Sequence, residues 1–157
     1  MGREVTRDEL GLICERARKQ KKVVVSTNGC FDILHVGHLR ILTQAREMGD
    51  LLVVGINSDD SVKRLKGKDR PINGESDRAE MLAGLACVDY VCVFEEDTPV
   101  ELLKVIRPDV HVKGGDYKPA ELAETPVVES QGGRMVIVDL VPGRSTTSVV
   151  AKIRYDT

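Results

Sequence analysis

Five short apolar runs, spaced by helical stretches and polar loops, constrain this chain more than any other feature. They are Val23 to Ser26, Leu51 to Asn57, Tyr90 to Phe94, Val110 to Lys113 and Met135 to Asp139. Nearly all-apolar runs of this length are the pattern of parallel strands buried on both faces. Helical spacing appears over Val36 to Met48, Ser76 to Ala86 and Thr98 to Ile106, and a Thr6-x-x-Glu9 capping box opens a first helix running to about Lys19. Thr98-Pro99-Val100-Glu101 combines a cap, a proline and an early acidic residue, and Arg107-Pro108 stops that helix. Repeated strand, helix, strand units predict an α/β fold: a doubly wound parallel five-stranded sheet with helices on both faces. With 157 residues, 41% of them hydrophobic, the expectation is one domain over residues 1–157, a helical lead-in over 1–20 and an α/β core over 21–157.

The first apolar run leads into Thr27-Asn28-Gly29-Cys30-Phe31-Asp32-Ile33-Leu34-His35-Val36-Gly37-His38, so strand, glycine turn and helix start follow in order. The first turn of a helix carries unpaired N–H groups and the positive end of the macrodipole, which together favour an anion. His35 and His38 add two donors on one face. Gly37 leaves room for a ligand against the backbone, and Gly29 is expected to supply turn dihedrals closed to other residues. A doubly wound sheet binds ligands beyond the carboxyl ends of its strands, where strand order reverses, and the motif is expected there.

Composition narrows the partners. The 23 basic and 25 acidic side chains leave a formal charge of −2, which offers no global attraction for nucleic acid or an anionic membrane, so a phosphate ligand has to be gripped locally. No apolar run approaches a bilayer-spanning length and Met1 to Gln20 lacks a signal-peptide core, so a cytoplasmic protein is expected. Cys14, Cys30, Cys87 and Cys92 show no zinc-site spacing, and no metal-ligand set is expected. Cys30 lies in the motif, where a helix N-terminus could make a reactive thiol; the favoured role is through its backbone.

Three further clusters belong near the strand ends. Lys66-Gly67-Lys68-Asp69-Arg70-Pro71 is a basic loop leading to Ser76-Asp77-Arg78, and Arg78 in a first helical turn opposes the dipole, which points to an outside partner for it. Lys113-Gly114-Gly115-Asp116-Tyr117 follows the fourth strand. In Gly143-Arg144-Ser145-Thr146-Thr147-Ser148 the hydroxyls exceed what one cap needs, which with Arg144 suits a second phosphate site.

The string from Gly29 to His38 resembles the HxGH signature of the nucleotidylyltransferase superfamily, in the GxFDxxHxGH form of its cytidylyltransferase-like branch. The segment at Arg78 resembles that family's arginine-bearing helix start, with Asp77 where a Glu is often found, and Ser145-Thr146 its ISTS-type motif. TNGCFDILHVGHLRIL, VGINSDDSVKRLKGKDRPI, DRAEMLAGL, VKGGDY and GRSTTSVVAKI, in that order over roughly residues 5 to 154, are similar to the adenylyltransferases that make ADP-heptose from heptose 1-phosphate for lipopolysaccharide inner-core synthesis. In many bacteria that activity is joined to a ribokinase-type sugar kinase half, and this chain resembles the stand-alone version. The resemblance implies a Rossmann-like nucleotidylyltransferase fold, ATP with Mg²⁺, a sugar phosphate partner and a homodimer. It implies catalytic roles for His35, His38, Lys68 and Arg78, and nucleotide contacts at Asn28, Gly29, Cys30, Phe31, Gly37, Lys113, Gly115, Asp116, Ser145 and Thr146. Lys68, Arg78, Ser145 and Thr146 are expected on the β- and γ-phosphates. Asp32 and Lys113 are expected toward the sugar phosphate, Asp32 also as an orienter of the motif.

Two readings stay open beside it. A cytidylyltransferase acting on glycerol 3-phosphate or a similar alcohol phosphate shares the first motif and the arginine helix. A non-catalytic nucleotide-binding module could keep the fold, but has no need of the full set of histidines, basic loop and hydroxyls. An aminoacyl-tRNA synthetase fragment carries a similar motif, yet the chain is too short and too neutral for tRNA.

Overall fold

The computed structural model describes residues 1–155. Six parallel strands form one sheet: β1 (Arg3–Glu4), β2 (Val24–Gly29), β3 (Leu51–Asn57), β4 (Tyr90–Phe94), β5 (Val110–Gly114) and β6 (Arg134–Val138), in the spatial order β1-β4-β3-β2-β5-β6. The sheet thus has one more strand than expected. The extra strand, β1, lies in the supposed helical lead-in. It pairs Arg3 with Tyr90 and Glu4 with Val91 at the sheet edge, and two exposed charged residues carry no periodicity to read.

The chain winds outward from β2 through β3 to β4 on one side and continues through β5 and β6 on the other. The order reverses between β2 and β5, which pair directly in the register Ser26 with His111 and Thr27 with Val112. A crevice at the carboxyl ends of these two strands is the ligand position that this topology creates.

Alternation along the buried strands builds two cores. Leu52, Val54 and Ile56 of β3 face α2 (Val36–Glu47) and α4 (Glu75–Ala83), where they meet Leu42, Ala45, Ala79 and Leu82. Leu51 and Val53 face α1 (Arg7–Lys19) and α5 (Val100–Ile106), packing with Leu10, Cys14, Leu102, Leu103 and Ile106. The Thr6 and Glu9 capping box forms as expected.

Two short helices escaped the sequence reading. One is α3 (Asp59–Lys66), capped by Ser58, which accepts from the Ser61 N–H at 3.1 Å; the other is α6 (Thr125–Ser130). The final helix, α7 (Thr146–Tyr155), follows the hydroxyl cluster. Among the described residues no helix is long and apolar enough to cross a membrane.

Leu52 is fully buried in β3. Truncating such a side chain removes its transfer free energy and leaves a cavity, so Leu52→Ala is expected to cost about 2–5 kcal/mol in urea unfolding, with the far-UV circular dichroism of the folded state unchanged.

Candidate active site

Strand β2 ends at Gly29, and the motif loop crosses the open end of the sheet to α2. Phe31, not Gly29, takes the left-handed backbone here, with φ 48°. Gly29 instead makes room: a Cβ there would lie 3.0 Å from the Phe31 ring, which folds back over the strand end. The same ring lies 5.2 Å from that of His38, so the turn props one motif histidine.

His35 is the N-cap of α2. Its Nδ1 accepts from the Gly37 N–H at 3.1 Å, and His38 Nδ1 accepts from the His35 N–H at 3.4 Å. Backbone donors on both Nδ1 atoms put the ring protons on Nε2. The rings stack with centroids 3.8 Å apart. Burial lowers the pKa of His35, and burial followed by the His35 charge lowers that of His38 to about 4. Both are therefore neutral imidazoles at pH 7, each presenting one Nε2–H at a helix N-terminus. Gly37 is buried between them, and a Cβ there would meet the His35 ring at 2.8 Å.

Asp32 joins this motif to the basic loop. It is 3% exposed and accepts from Arg70 Nε at 2.7 Å, from the Asn73 N–H at 2.8 Å and from the Ile72 N–H at 2.9 Å, while Asn73 Nδ2 donates to the Asp32 carbonyl at 2.7 Å. Burial works to raise the carboxyl pKa, but the Asn73 and Ile72 N–H groups and the Arg70 guanidinium outweigh it and hold the pKa low. These bonds fasten the motif to the loop, and the carboxylate is enclosed and engaged by these donors.

Arg78 departs further from expectation. It is 2% exposed, and its guanidinium donates to the carbonyls of Cys30 at 2.7 Å, Asn57 at 2.8 Å and Asn73 at 2.9 Å and to Asp59 Oδ1 at 2.9 Å. The partners that its dipole-opposing position calls for are supplied within the protein, by three backbone carbonyls and Asp59. Arg78 ties together the ends of β2 and β3 and the approach to α4. Burial pushes the Cys30 thiol up, so it is protonated at neutral pH, in keeping with a role through its backbone.

The remaining candidates divide. Lys68 is exposed on the loop that Asp32 anchors. Lys113 is half-buried, 3.3 Å from both Asn28 Oδ1 and Glu124 Oε1, so the β5 lysine and the β2 asparagine do meet across the crevice. Gly115 is buried with φ 130°, and Asp116 is exposed. Ser145 Oγ caps α7 by accepting from the Ser148 N–H at 3.0 Å, and Thr146 Oγ1 donates to the Ile33 carbonyl at 3.3 Å, which docks the helix start on the motif loop. Arg144 is exposed beside Gly37: a Cβ on that glycine would sit 3.4 Å from Arg144 Cβ. A cavity of about 1010 Å³ backs onto the loop at Phe31, Ile33 and Leu34, but neither histidine lines it.

Arg70, Asn73, His111 and Glu124 were not singled out from the sequence as site residues. A signal existed for His111, since a polar side chain inside an all-apolar buried strand demands a hydrogen-bond partner. Burial, then the Lys113 charge, lowers its pKa to about 3. His38 and His111 both bind protons more weakly folded than unfolded. As pH falls below about 6.5 the unfolded chain protonates first, so stability is lost on acidification. Urea midpoints are expected to be flat from pH 8 to 7 and to fall between about pH 6.5 and 4; His38→Gln should make that fall shallower.

A model of the cytidylyltransferase-like family matches residues 26–150. The chain is 54% identical over 152 residues to the bifunctional protein HldE of Syntrophotalea carbinolica, covering 96% of this chain and 31% of that one. It is 55% identical over 138 residues to the bifunctional protein HldE of Campylobacter concisus, covering 88% and 28%. The chain thus spans about a third of the length of these relatives. Among solved structures, a lipopolysaccharide core biosynthesis protein from Thermoplasma volcanium aligns with TM-score 0.63 and 30% identity over 76% of this chain and 97% of that one. The pantoate-beta-alanine ligase of Francisella tularensis shares the fold, with TM-score 0.62 at 13% identity over 100% and 79%. With the motif, the sheet order and these matches in agreement, the chain belongs to the cytidylyltransferase-like family of nucleotidyltransferases.

Proposed function

We propose that the chain transfers AMP from MgATP to heptose 1-phosphate, giving ADP-heptose and pyrophosphate for lipopolysaccharide inner-core synthesis. The observation that carries this reading is the pair of neutral imidazoles whose Nε2–H groups are offered together at the α2 N-terminus beside the sheet's switch point. The heptose substrate is supported by the relatives named HldE and by the Thermoplasma protein named for lipopolysaccharide core synthesis. A cytoplasmic homodimer belongs to the same reading.

In this chemistry an oxygen of the sugar phosphate attacks the α-phosphorus of ATP in line, and the bond to the α,β-bridging oxygen breaks to release pyrophosphate. The protein supplies no nucleophile, so its work is positioning and neutralising charge that builds on the α-phosphate and leaving oxygens. His35 and His38 would donate to those oxygens, assisted by the N–H groups at the α2 start. Lys68 and Arg144, both exposed and near the motif through Asp32 and Gly37, suit the β- and γ-phosphates. Lys113, Gly115 and Asp116 at the end of β5 would face the nucleotide or sugar phosphate. Among the described residues no three His, Cys, Asp or Glu side chains gather to hold a metal, so Mg²⁺ would arrive on the triphosphate oxygens.

Pyrophosphate release measured over a panel of ATP, CTP, heptose 1-phosphate and glycerol 3-phosphate tests the reading. Turnover with ATP and heptose 1-phosphate is expected; turnover confined to CTP with a polyol phosphate would overturn it. His38→Ala removes one charge-stabilising donor and is expected to lower kcat about 10²- to 10³-fold with circular dichroism unchanged, whereas near-normal turnover would remove the motif from the mechanism.

A further inference from the structure

His111 is fully buried in β5, and the adenylyl-transfer chemistry gives it nothing to do. Its surroundings nevertheless determine its orientation. The ring Nδ1 lies 2.7 Å from Ser26 Oγ, and Nε2 lies 3.1 Å from Asn28 Oδ1. Lys113 Nζ lies 3.3 Å from that same Asn28 oxygen. An ammonium can only donate, so the Asn28 atom facing it has to be the carbonyl oxygen. His111 Nε2 faces the same oxygen and must therefore carry the proton, which leaves Nδ1 as acceptor and Ser26 as its donor. The order Ser26 to His111 to Asn28 is thus a directed chain, and Lys113 closes it against Glu124 at 3.3 Å. Burial and the neighbouring Lys113 charge both keep the imidazole neutral, as the chain requires.

The consequence falls on the other half of the Asn28 carboxamide. With Oδ1 held inward by two donors, the Nδ2 amino group is turned away from them. It makes no hydrogen bond among the described residues, and it is not among the buried polar atoms left without a partner, so it reaches solvent. Asn28 is the penultimate residue of β2, at the strand end from which the histidine motif departs.

We propose that His111 is a positioning residue for the transfer site: it locks the Asn28 carboxamide so that the amino group is offered to a phosphate oxygen of the bound nucleotide. The proposal rests on the reading of this crevice as a nucleotide phosphate site. A core-filling His111 would affect stability alone; a positioning His111 acts on turnover through Asn28.

The test compares His111→Leu, His111→Gln, Asn28→Asp and the double variant His111→Leu/Asn28→Asp, with kcat and KM from pyrophosphate release and thermal unfolding of each. His111→Leu is expected to lower kcat about tenfold, with KM for the sugar phosphate little changed. Gln at 111 can still donate to Asn28 and should restore most of the rate. Asn28→Asp, which removes the amino donor at constant shape, should cost about 10²-fold, and the double variant should be no slower than Asn28→Asp alone. Additive losses, wild-type turnover in His111→Leu, or a loss that follows only the unfolding temperature would overturn the proposal. If His111→Leu does not fold, Ser26→Ala replaces it, with the same expected dependence on Asn28. Nitrogen NMR of the unmodified protein gives a readout independent of turnover: His111 should be protonated at Nε2 alone near neutral pH, and the Asn28 amino protons should shift on titration with ATP. An Nδ1-protonated ring, or no Asn28 shift while other motif signals respond, would overturn the proposal even if the sugar substrate proved to be another.

Discussion

Asp32 is the contact on which the working end of the molecule depends. A carboxylate enclosed to 3% exposure is costly unless its oxygens are satisfied, and here three donors from one loop supply that satisfaction. The loop cannot leave without abandoning a buried charge, and the motif cannot shift without losing the loop. Through this clamp the segment bearing Lys68 is held against the segment bearing His35 and His38, although some thirty residues separate them in the chain. Arg78 does the complementary task from beneath. As a buried cation it takes carbonyl groups from the ends of β2 and β3 and from Asn73, the residue that also binds Asp32.

Two opposed electrostatic devices therefore sit under one cleft. The buried charges, Asp32 and Arg78, are used internally to hold backbone in place. The groups turned toward the cleft are neutral donors, the Nε2–H groups at the α2 N-terminus, with exposed cations at Lys68 and Arg144 on the rim. A neutral imidazole offers a hydrogen bond without a desolvated charge of its own, and the helix N-terminus adds positive potential without a counter-ion. Such an arrangement suits an anion that arrives already charged and becomes differently charged as it reacts.

Local features were readable because local residues cause them. The capping box at Thr6, the nearly all-apolar β3 and the strand to helix passage at the motif all follow from neighbours in sequence. Other features leave no readable local pattern. Strand β1 exists because the edge of β4 offers unpaired backbone groups to Arg3 and Glu4, and nothing in those two residues announces it. Helix α3 is short and heavily charged, so its apolar face is only a residue or two wide. Ser145 and Thr146 look like surplus hydroxyls in sequence, whereas one is spent on a cap and the other on the Ile33 carbonyl 113 positions away. Glycine's tolerance of left-handed backbone points to Gly29 for the turn, yet Phe31 adopts it, with its ring packed over the glycine.

The sequence by itself determined that a helix start carrying two histidines would follow a buried parallel strand, since hydrophobic period, glycine position and histidine spacing act within a dozen residues. Only the tertiary structure decided which polar groups are spent and which are offered. Arg78 and Asp32 have the composition of ligands and are engaged by the fold, whereas His111, a polar residue whose partner the sequence does not name, bonds Asn28 on the neighbouring strand. The reason is that hydrogen-bond satisfaction in a buried site depends on partners up to 85 positions apart, and no local pattern records where those partners arrive.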